Sequence, residues 1–282
     1  MKLIHFDWAI KKMLRHKANF GILEGFLTEL LKFDLKIEQI LESEGNQETD
    51  RDKFNRVDIL IRTTKGELML VEIQNSPETD YFHRMIYGVS KLITEYVKLG
   101  DAYSEVKKVY SINIVYFSLG QGEDYIYEYD GKFVGRRLKD VLLPTSHQKT
   151  KFDITKVADI FPKYYILKVN NFDDVAKDTL DEWIYFLKNS EIKDNFKAKG
   201  IDEAREKMRY EKLDEQGKKV YDRFQESIRI EKSVLETAEE TGEQRGKKEK
   251  ALEIARNLKN AGVSSKTISQ TTGLSEKEIE NL

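Results

Sequence analysis

Residues 56–74 read RVDILIRTTKGELMLVEIQ, and this run narrows the folds open to the chain more than any other. Two apolar stretches flank Thr64-Lys65-Gly66, so the run reads as two strands joined by a tight turn. Each strand carries one acid, Asp58 in VDILI and Glu72 in LVEIQ. A charge kept inside an otherwise buried strand is costly. Taken singly, each acid reads as an ordinary polar residue on a solvated sheet face. Together, at matching depth, they point to a hard-cation site.

Turn length decides whether the two acids cooperate, because a one-residue slip moves a side chain to the other face of the sheet. A two-residue turn at Lys65-Gly66 would oppose Asp58 to Ile73 and send Glu72 to the far face. A three-residue loop, Thr64-Lys65-Gly66, sets Asp58 directly opposite Glu72, with Cβ atoms about 4.5–5.5 Å apart. The three-residue loop needs a left-handed residue after a type I turn, and Gly66 tolerates that conformation. The sequence therefore predicts the three-residue loop. Gln74 shares the Glu72 face, since strand period is two. Two carboxylates, an amide and the backbone carbonyl of Ile73 are all oxygen donors, a set that suits magnesium, or manganese in its place, better than zinc.

The rest of the composition excludes more than it assigns. With 282 residues the chain has length for one large domain, or a medium one with an appendage. It has no cysteine, so disulfides and thiolate-bound zinc are ruled out. His5, His16, His83 and His147 lack metal-ligand spacing. The formal charge of −2 gives no global basic field, so a nucleic-acid surface has to be local. Apolar runs are strand-length, which predicts no membrane span. The N-terminus has Asp7, Lys11 and Lys12 where a secretion signal needs an apolar stretch. The expected location is the cytoplasm.

Along the chain, Asp7 to Arg15 reads as a short helix, and Asn19 as the cap of a second with Ile22, Leu23, Phe26, Leu27, Leu30 and Leu31 at helical period. Leu35–Leu41 reads as a strand and Glu42–Lys53 as a polar loop. Strands around Val57–Ile61 and Leu68–Ile73 follow. Pro77 is expected to open a helix to about Leu99. Val109–Phe117 is a buried strand, Tyr125–Tyr129 and Phe133 suggest a hairpin around Asp130-Gly131, and Tyr164–Val169 is a further strand. A helix from about Asp174 to Lys188 closes this part. The fold class is α/β, a mixed sheet with helices against it. Character changes near residue 190: all three prolines precede it, and residues 201–250 hold 14 acidic and 13 basic side chains, the pattern of a solvated helix laced by near-neighbour ion pairs. The expected divisions are an α/β domain over 1–190, a charged helical linker over 191–248 and a small helical module over 249–282.

The pieces GILEGFLTELL, RVDILI, TTKGEL, MLVEIQN and YFHRMIYGVSKLI, in this order, resemble the PD-(D/E)XK nuclease superfamily, and within it the Rpn-type recombination-promoting nuclease and transposase group. The likeness runs from Asp7 to about Val169 and resumes over residues 250–282. It implies a restriction-endonuclease-like mixed central sheet flanked by helices, with a helical C-terminal extension, and metal-dependent cleavage of DNA phosphodiesters. Carried over, Asp58 and Glu72 take the metal-ligand positions with the Ile73 carbonyl. Gln74 stands where the superfamily usually has lysine, so a water is oriented there without added charge. An acid from the entry helix is expected as well, and Glu24 is the candidate, though it reads equally as an exposed helix residue. Arg84 and His83 on the next helix are candidates for a phosphate contact, with surface or packing duty the better reading of His83.

At the C-terminus, Ala251, Leu252, Ile254, Ala255 and Leu258 form an apolar face ending at Ala261-Gly262. Ser264 and Ser275 read as helix caps, the latter with Glu278 in a capping box, and Gly273 as a stop. The layout resembles a helix-turn-helix. Glu276, Glu278 and Glu280 in the last helix favour a protein-interaction or homodimer tail over a groove reader, although Lys247, Lys248, Lys250, Arg256, Lys259 and Lys266 offer phosphate contacts. Three functions stand: a magnesium-dependent DNA endonuclease of recombination or mobile elements, a degenerate nuclease fold that binds nucleic acid or protein, and an assembly protein driven by its charged helix.

Overall fold

Burial along the N-terminal third already separates two faces. The computed structural model describes residues 2–41, 58–96 and 102–282, so the expected polar loop over 42–53 and the strand start at Val57 lie outside the described residues. Helix α1 spans Phe6–Lys12 and buries Phe6, Trp8, Ala9 and Ile10. Helix α2, Phe20–Leu31, carries the predicted apolar stripe inward. Asn19 stands at its N-cap but does not cap it; its amide donates to the Met13 carbonyl instead. Strands β1 (Ile37–Leu41), β2 (Ile59–Thr63) and β3 (Leu68–Gln74) follow, then helix α3 (Tyr81–Tyr96) and strand β4 (Val109–Val115). Helix α3 begins four residues after Pro77, and its expected end at Leu99 lies outside the described residues.

Six strands form one sheet in the order β1-β2-β3-β4-β6-β5, where β5 is Ile126–Tyr129 and β6 is Lys163–Lys168. Strands β3, β4 and β6 run parallel, while β1, β2 and β5 are antiparallel to their neighbours. The α3 crossover between β3 and β4 supplies the connection that a parallel pair needs. The expected hairpin at Asp130-Gly131 does not form. Strand β5 pairs with β6 instead, and Gly131 does not adopt the positive φ that a tight two-residue turn requires.

Alternation sorts the side chains. Leu60, Leu68, Leu70 and Val109 face α3, where Val89 and Leu92 cover them. Tyr81 and Met85 cover Val115 and Phe117 on the same face. On the other face, the Tyr116 hydroxyl donates to the Leu187 carbonyl of helix α5 (Thr179–Asn189). The rings of Phe6, Phe26, Trp183 and Phe186 pack together and join α1, α2 and α5. A short helix α4, Ser146–Phe152, lies between β5 and β6 in the chain, capped by Thr145 and Gln148. Residues 191–214 do not continue as one charged helix. Helix α6, Ile201–Lys207, buries Ile201 and Ala204 and packs on α2. Gly25 permits that approach: a Cβ there would stand 2.2 Å from the Lys199 carbonyl.

The chain divides into two compact units, residues 1–218 and 219–282. Helix α7 runs from Glu215 to Asn260, and i,i+4 pairs such as Lys247–Glu243 and Arg245–Glu249 decorate it. In the second unit Ala255 of α7, Ile268 of α8 (Ser265–Thr272), Leu274 and Ile279 of α9 (Glu276–Glu280) form a small core. Ser264 caps α8, Gly273 ends it at φ 73°, and Ser275 with Glu278 makes the capping box of α9, as the sequence predicts. No helix among the described residues is long and apolar enough to cross a membrane.

Candidate functional site

The β2–β3 loop sets everything that follows. Ile59 opposes Val71, Leu60 opposes Leu70 and Ile61 opposes Met69, the register of the three-residue loop. Gly66 adopts φ 78°, and its N–H donates to the Thr63 carbonyl. One further step along that register brings Asp58 opposite Glu72, on the face that α3 covers.

The two acids are held differently. Asp58 Oδ2 accepts the Ile73 N–H at 2.6 Å, and its Oδ1 lies 3.5 Å from Lys11 Nζ. Glu72 is 4 % exposed. Among the described residues no hydrogen-bond donor reaches its Oε1, and Arg84 Nη2 stands 3.6 Å away, an ion pair too long to be a hydrogen bond. Burial pushes the Glu72 carboxyl up to about 7, against the pull of Arg84 and with the repulsion of Asp58 and Glu78. Burial also raises Asp58, opposed by Lys11 and by the Ile73 amide. For each acid the loss of water outweighs the pull of the cation beside it.

Gln74 follows Glu72 on the same face, but its amide nitrogen turns to the Ser76 carbonyl at 3.1 Å and to Glu78 Oε1 at 3.3 Å. Arg84, in the first turn of α3, is joined to Glu78 at 2.7 Å as well as facing Glu72. The Gln74 carbonyl accepts from Tyr116 beside β4, so the alternation of strand groups directs the Ile73 carbonyl to the opposite side, the side of Asp58. Tyr81 reaches from α3 to Asn113, the β4 neighbour of Glu72.

The structure brings Asp58, Glu72, Ile73, Gln74 and Arg84 together and leaves Glu24 out. Glu24 accepts the Ile37 N–H at 2.9 Å and the Lys36 ammonium at 2.7 Å. Ile37 pairs with Thr63 at the loop end of β2, so Glu24 sits roughly 15 Å along the strand from Asp58. Both its oxygens serve the β1 edge. His83 is exposed on α3. From the N-terminal helices, Asp7 of α1 does reach the pair's neighbourhood. It is buried, accepts from Asn75 Nδ2 at 2.8 Å, and lies 2.7 Å from the Lys11 ammonium that also faces Asp58. The sequence offered a signal for it: an acid inside FDWAI, the same buried-charge pattern that singled out Asp58 and Glu72.

The donor set suits a hard divalent cation. Two carboxylates and a carbonyl are oxygen ligands, and Glu72 Oε1, which faces Arg84 without a hydrogen bond among the described residues, has an acceptor lone pair to offer. Among the described residues no group of three or more His, Cys, Asp or Glu converges as a closed metal cage. An open half-shell of one or two carboxylates is how magnesium is commonly held when a substrate phosphate completes the shell.

Residues 4–238 match the family described as PD-(D/E)XK nuclease family transposase. The chain belongs to this family. Residues 248–282 match the Rpn/YhgA-like nuclease family, C-terminal HTH domain. No curated protein and no solved structure matches the chain. The mixed sheet with flanking helices is the restriction-endonuclease-like fold of the PD-(D/E)XK nucleases. The C-terminal match runs against the preference for a protein-interaction tail drawn from the acidic last helix. Part of that acid is structural, since Glu278 makes the capping box and faces Lys248 at 3.5 Å. Lys259 is structural too, donating to the carbonyls of Ile279 and Glu280.

Proposed function

We propose that this chain is a divalent-metal-dependent DNA endonuclease, with magnesium as the working ion and manganese able to replace it, acting in recombination or transposition. One observation carries the reading: Glu72 is buried, its carboxyl pKa is raised, no hydrogen-bond donor among the described residues reaches its Oε1, and the register sets it opposite Asp58 at the open end of the strand pair. Family membership supports nuclease chemistry and use of a divalent metal. In this reading Asp58, Glu72 and the Ile73 carbonyl hold the ion. Once bound, a divalent cation lowers the pKa of a coordinated water and polarises the phosphoryl oxygen. Gln74 orients water, and Arg84, half-buried beside the pair, offers a guanidinium to a phosphate. The helix-turn-helix domain contributes DNA affinity, and two copies joined through the C-terminal helices would address both strands.

Plasmid nicking by wild type and by Glu72→Ala tests this. Wild type nicks supercoiled DNA only with magnesium or manganese, and Glu72→Ala keeps its fold and loses nicking. A wild type that binds DNA yet never nicks in either metal favours a second reading, a degenerate nuclease fold that binds without cutting. Gln74 supports that alternative, since it brings no charge to the position and turns toward Ser76 and Glu78.

A further inference from the structure

The position on β3 where this superfamily usually has lysine holds Gln74, yet a lysine stands at the site from another direction. Lys11 Nζ lies 3.5 Å from Asp58 Oδ1 and 2.7 Å from Asp7 Oδ1. Asp7 is itself fixed, because its Oδ2 accepts from Asn75, the residue directly after Gln74. The chain of contacts Asn75–Asp7–Lys11–Asp58 thus ties α1 to the end of β3. Arg15, just past α1, donates from Nη2 to the Asp58 backbone carbonyl at 2.6 Å. Two cations from the N-terminal segment border Asp58, whereas Arg84 approaches from α3, paired with Glu78 and facing Glu72.

Lys11 need not be there for packing. Its neighbours Phe6, Trp8, Ala9 and Ile10 bury the apolar face of α1, whereas the Lys11 side chain is 39 % exposed, with its tip on the acids. A bound divalent ion would neutralise Asp58 and loosen the claim of that carboxylate on the ammonium. Asp7, which lies off the strand pair, would keep Lys11 in place at the rim.

We propose that Lys11 is a second phosphate-contacting cation of this site beside Arg84, supplied from α1 in place of the lysine that β3 lacks, with Asp7 as its positioning residue. The inference rests on the endonuclease reading above, and its tests separate the two. The variants are Lys11→Met, Lys11→Arg and the double variant Lys11→Met/Gln74→Lys, made in the full chain. Manganese binding is read by electron paramagnetic resonance, duplex affinity by fluorescence anisotropy in calcium at several salt concentrations, and nicking on plasmid. Lys11→Met is expected to bind manganese at least as tightly as wild type, because a like charge beside Asp58 is gone. Its nicking falls about 100-fold, the scale for losing one preorganised charge donor. Its salt dependence of DNA binding drops by about one phosphate contact. Lys11→Arg retains most of both, and returning the cation to the strand in the double variant restores nicking at least in part.

Loss of manganese binding along with nicking in Lys11→Met would show that Lys11 merely braces Asp58, and the inference fails. It also fails if Lys11→Met nicks like wild type while Glu72→Ala is dead, an outcome that leaves the endonuclease reading standing. A wild type that never nicks removes that reading, and the anisotropy arm then decides alone: unchanged affinity and salt slope in Lys11→Met overturn the inference. Should Lys11→Met unfold because Asp7 is left without its cation, Asp7→Asn/Lys11→Met removes both charges and carries the same measurements.

Discussion

The two ends of the β2–β3 pair both carry acids and treat them in opposite ways. At the loop end, Glu67 Oε2 meets the Thr63 hydroxyl at 3.2 Å, its Oε1 meets the Tyr110 hydroxyl at 3.3 Å, and Glu24 nearby has donors on both oxygens. At the open end, Glu72 is buried with Oε1 lacking a hydrogen bond, and Asp58 is shared between one amide and one distant ammonium. The first arrangement closes a sheet edge. The second stores unfavourable electrostatics that an incoming cation would relieve. In the proposed reading, fold stability and ligand chemistry are separated along a single hairpin, and each end can be perturbed alone.

The sharpest way to break this contrast is through pH. Glu72 is held near 7 in the folded chain, above its ordinary value of 4.5, so the folded state binds the proton more tightly. Its contribution to stability is complete below about pH 4.5 and is lost as pH rises through 7. The total is on the order of 3 kcal/mol at 1.36 kcal/mol per pKa unit. Urea unfolding of the metal-free chain across pH 5 to 8 is expected to show this falling limb in wild type and a flatter one in Glu72→Gln. Equal slopes in both would mean that Glu72 is not the strained group.

Metal addition is the next largest effect. Manganese at roughly a hundred times its dissociation constant stabilises a protein that binds it only when folded by about 2.7 kcal/mol. Thermal melts at pH 8 should show that gain in wild type and in Glu24→Ala, and no gain in Glu72→Gln. A gain in all three moves the ion away from the open end.

Glu24→Ala sharpens the contrast from the other side. It strips the acceptor from the Ile37 amide and from Lys36, and an unsatisfied buried donor costs about 1–3 kcal/mol. Stability is expected to drop while manganese affinity stays at the wild-type level. Smallest is Gly66→Ala. The residue keeps φ 78°, so a Cβ there costs about 1 kcal/mol, seen as a modest fall in melting temperature with nicking retained.

The hairpin is legible in the sequence because one glycine and strict alternation leave few registers, and counting alone puts Asp58, Glu72 and Gln74 on one face. The C-terminal caps were legible for a similar reason: Ser264, Gly273 and Ser275 satisfy purely local rules. The place of Glu24 at the loop end is not legible, since helical position says nothing about which end of a distant strand the side chain meets. The approach of Asp7 and Lys11 to Asp58 is not legible in the sequence, because the contact that anchors Asp7, to Asn75, crosses 68 residues and no periodicity encodes it. The β5–β6 pairing was hidden likewise, as Asp130-Gly131 imitates a hairpin turn while the true partner lies more than thirty residues further on. The Thr145–Gln148 box that starts α4 is a local signal of the same kind as the C-terminal caps.

The loop at Thr64-Lys65-Gly66 has one more consequence, for how such a gene can vary. Thr64 and Lys65 are exposed, so exchanges of residue type there are open. Losing or gaining a single codon is not, because it would turn the whole of β2 over and put an apolar residue where the carboxylate belongs. Length and a residue that tolerates a positive φ at Gly66, rather than the identities of Thr64 and Lys65, are what this turn requires.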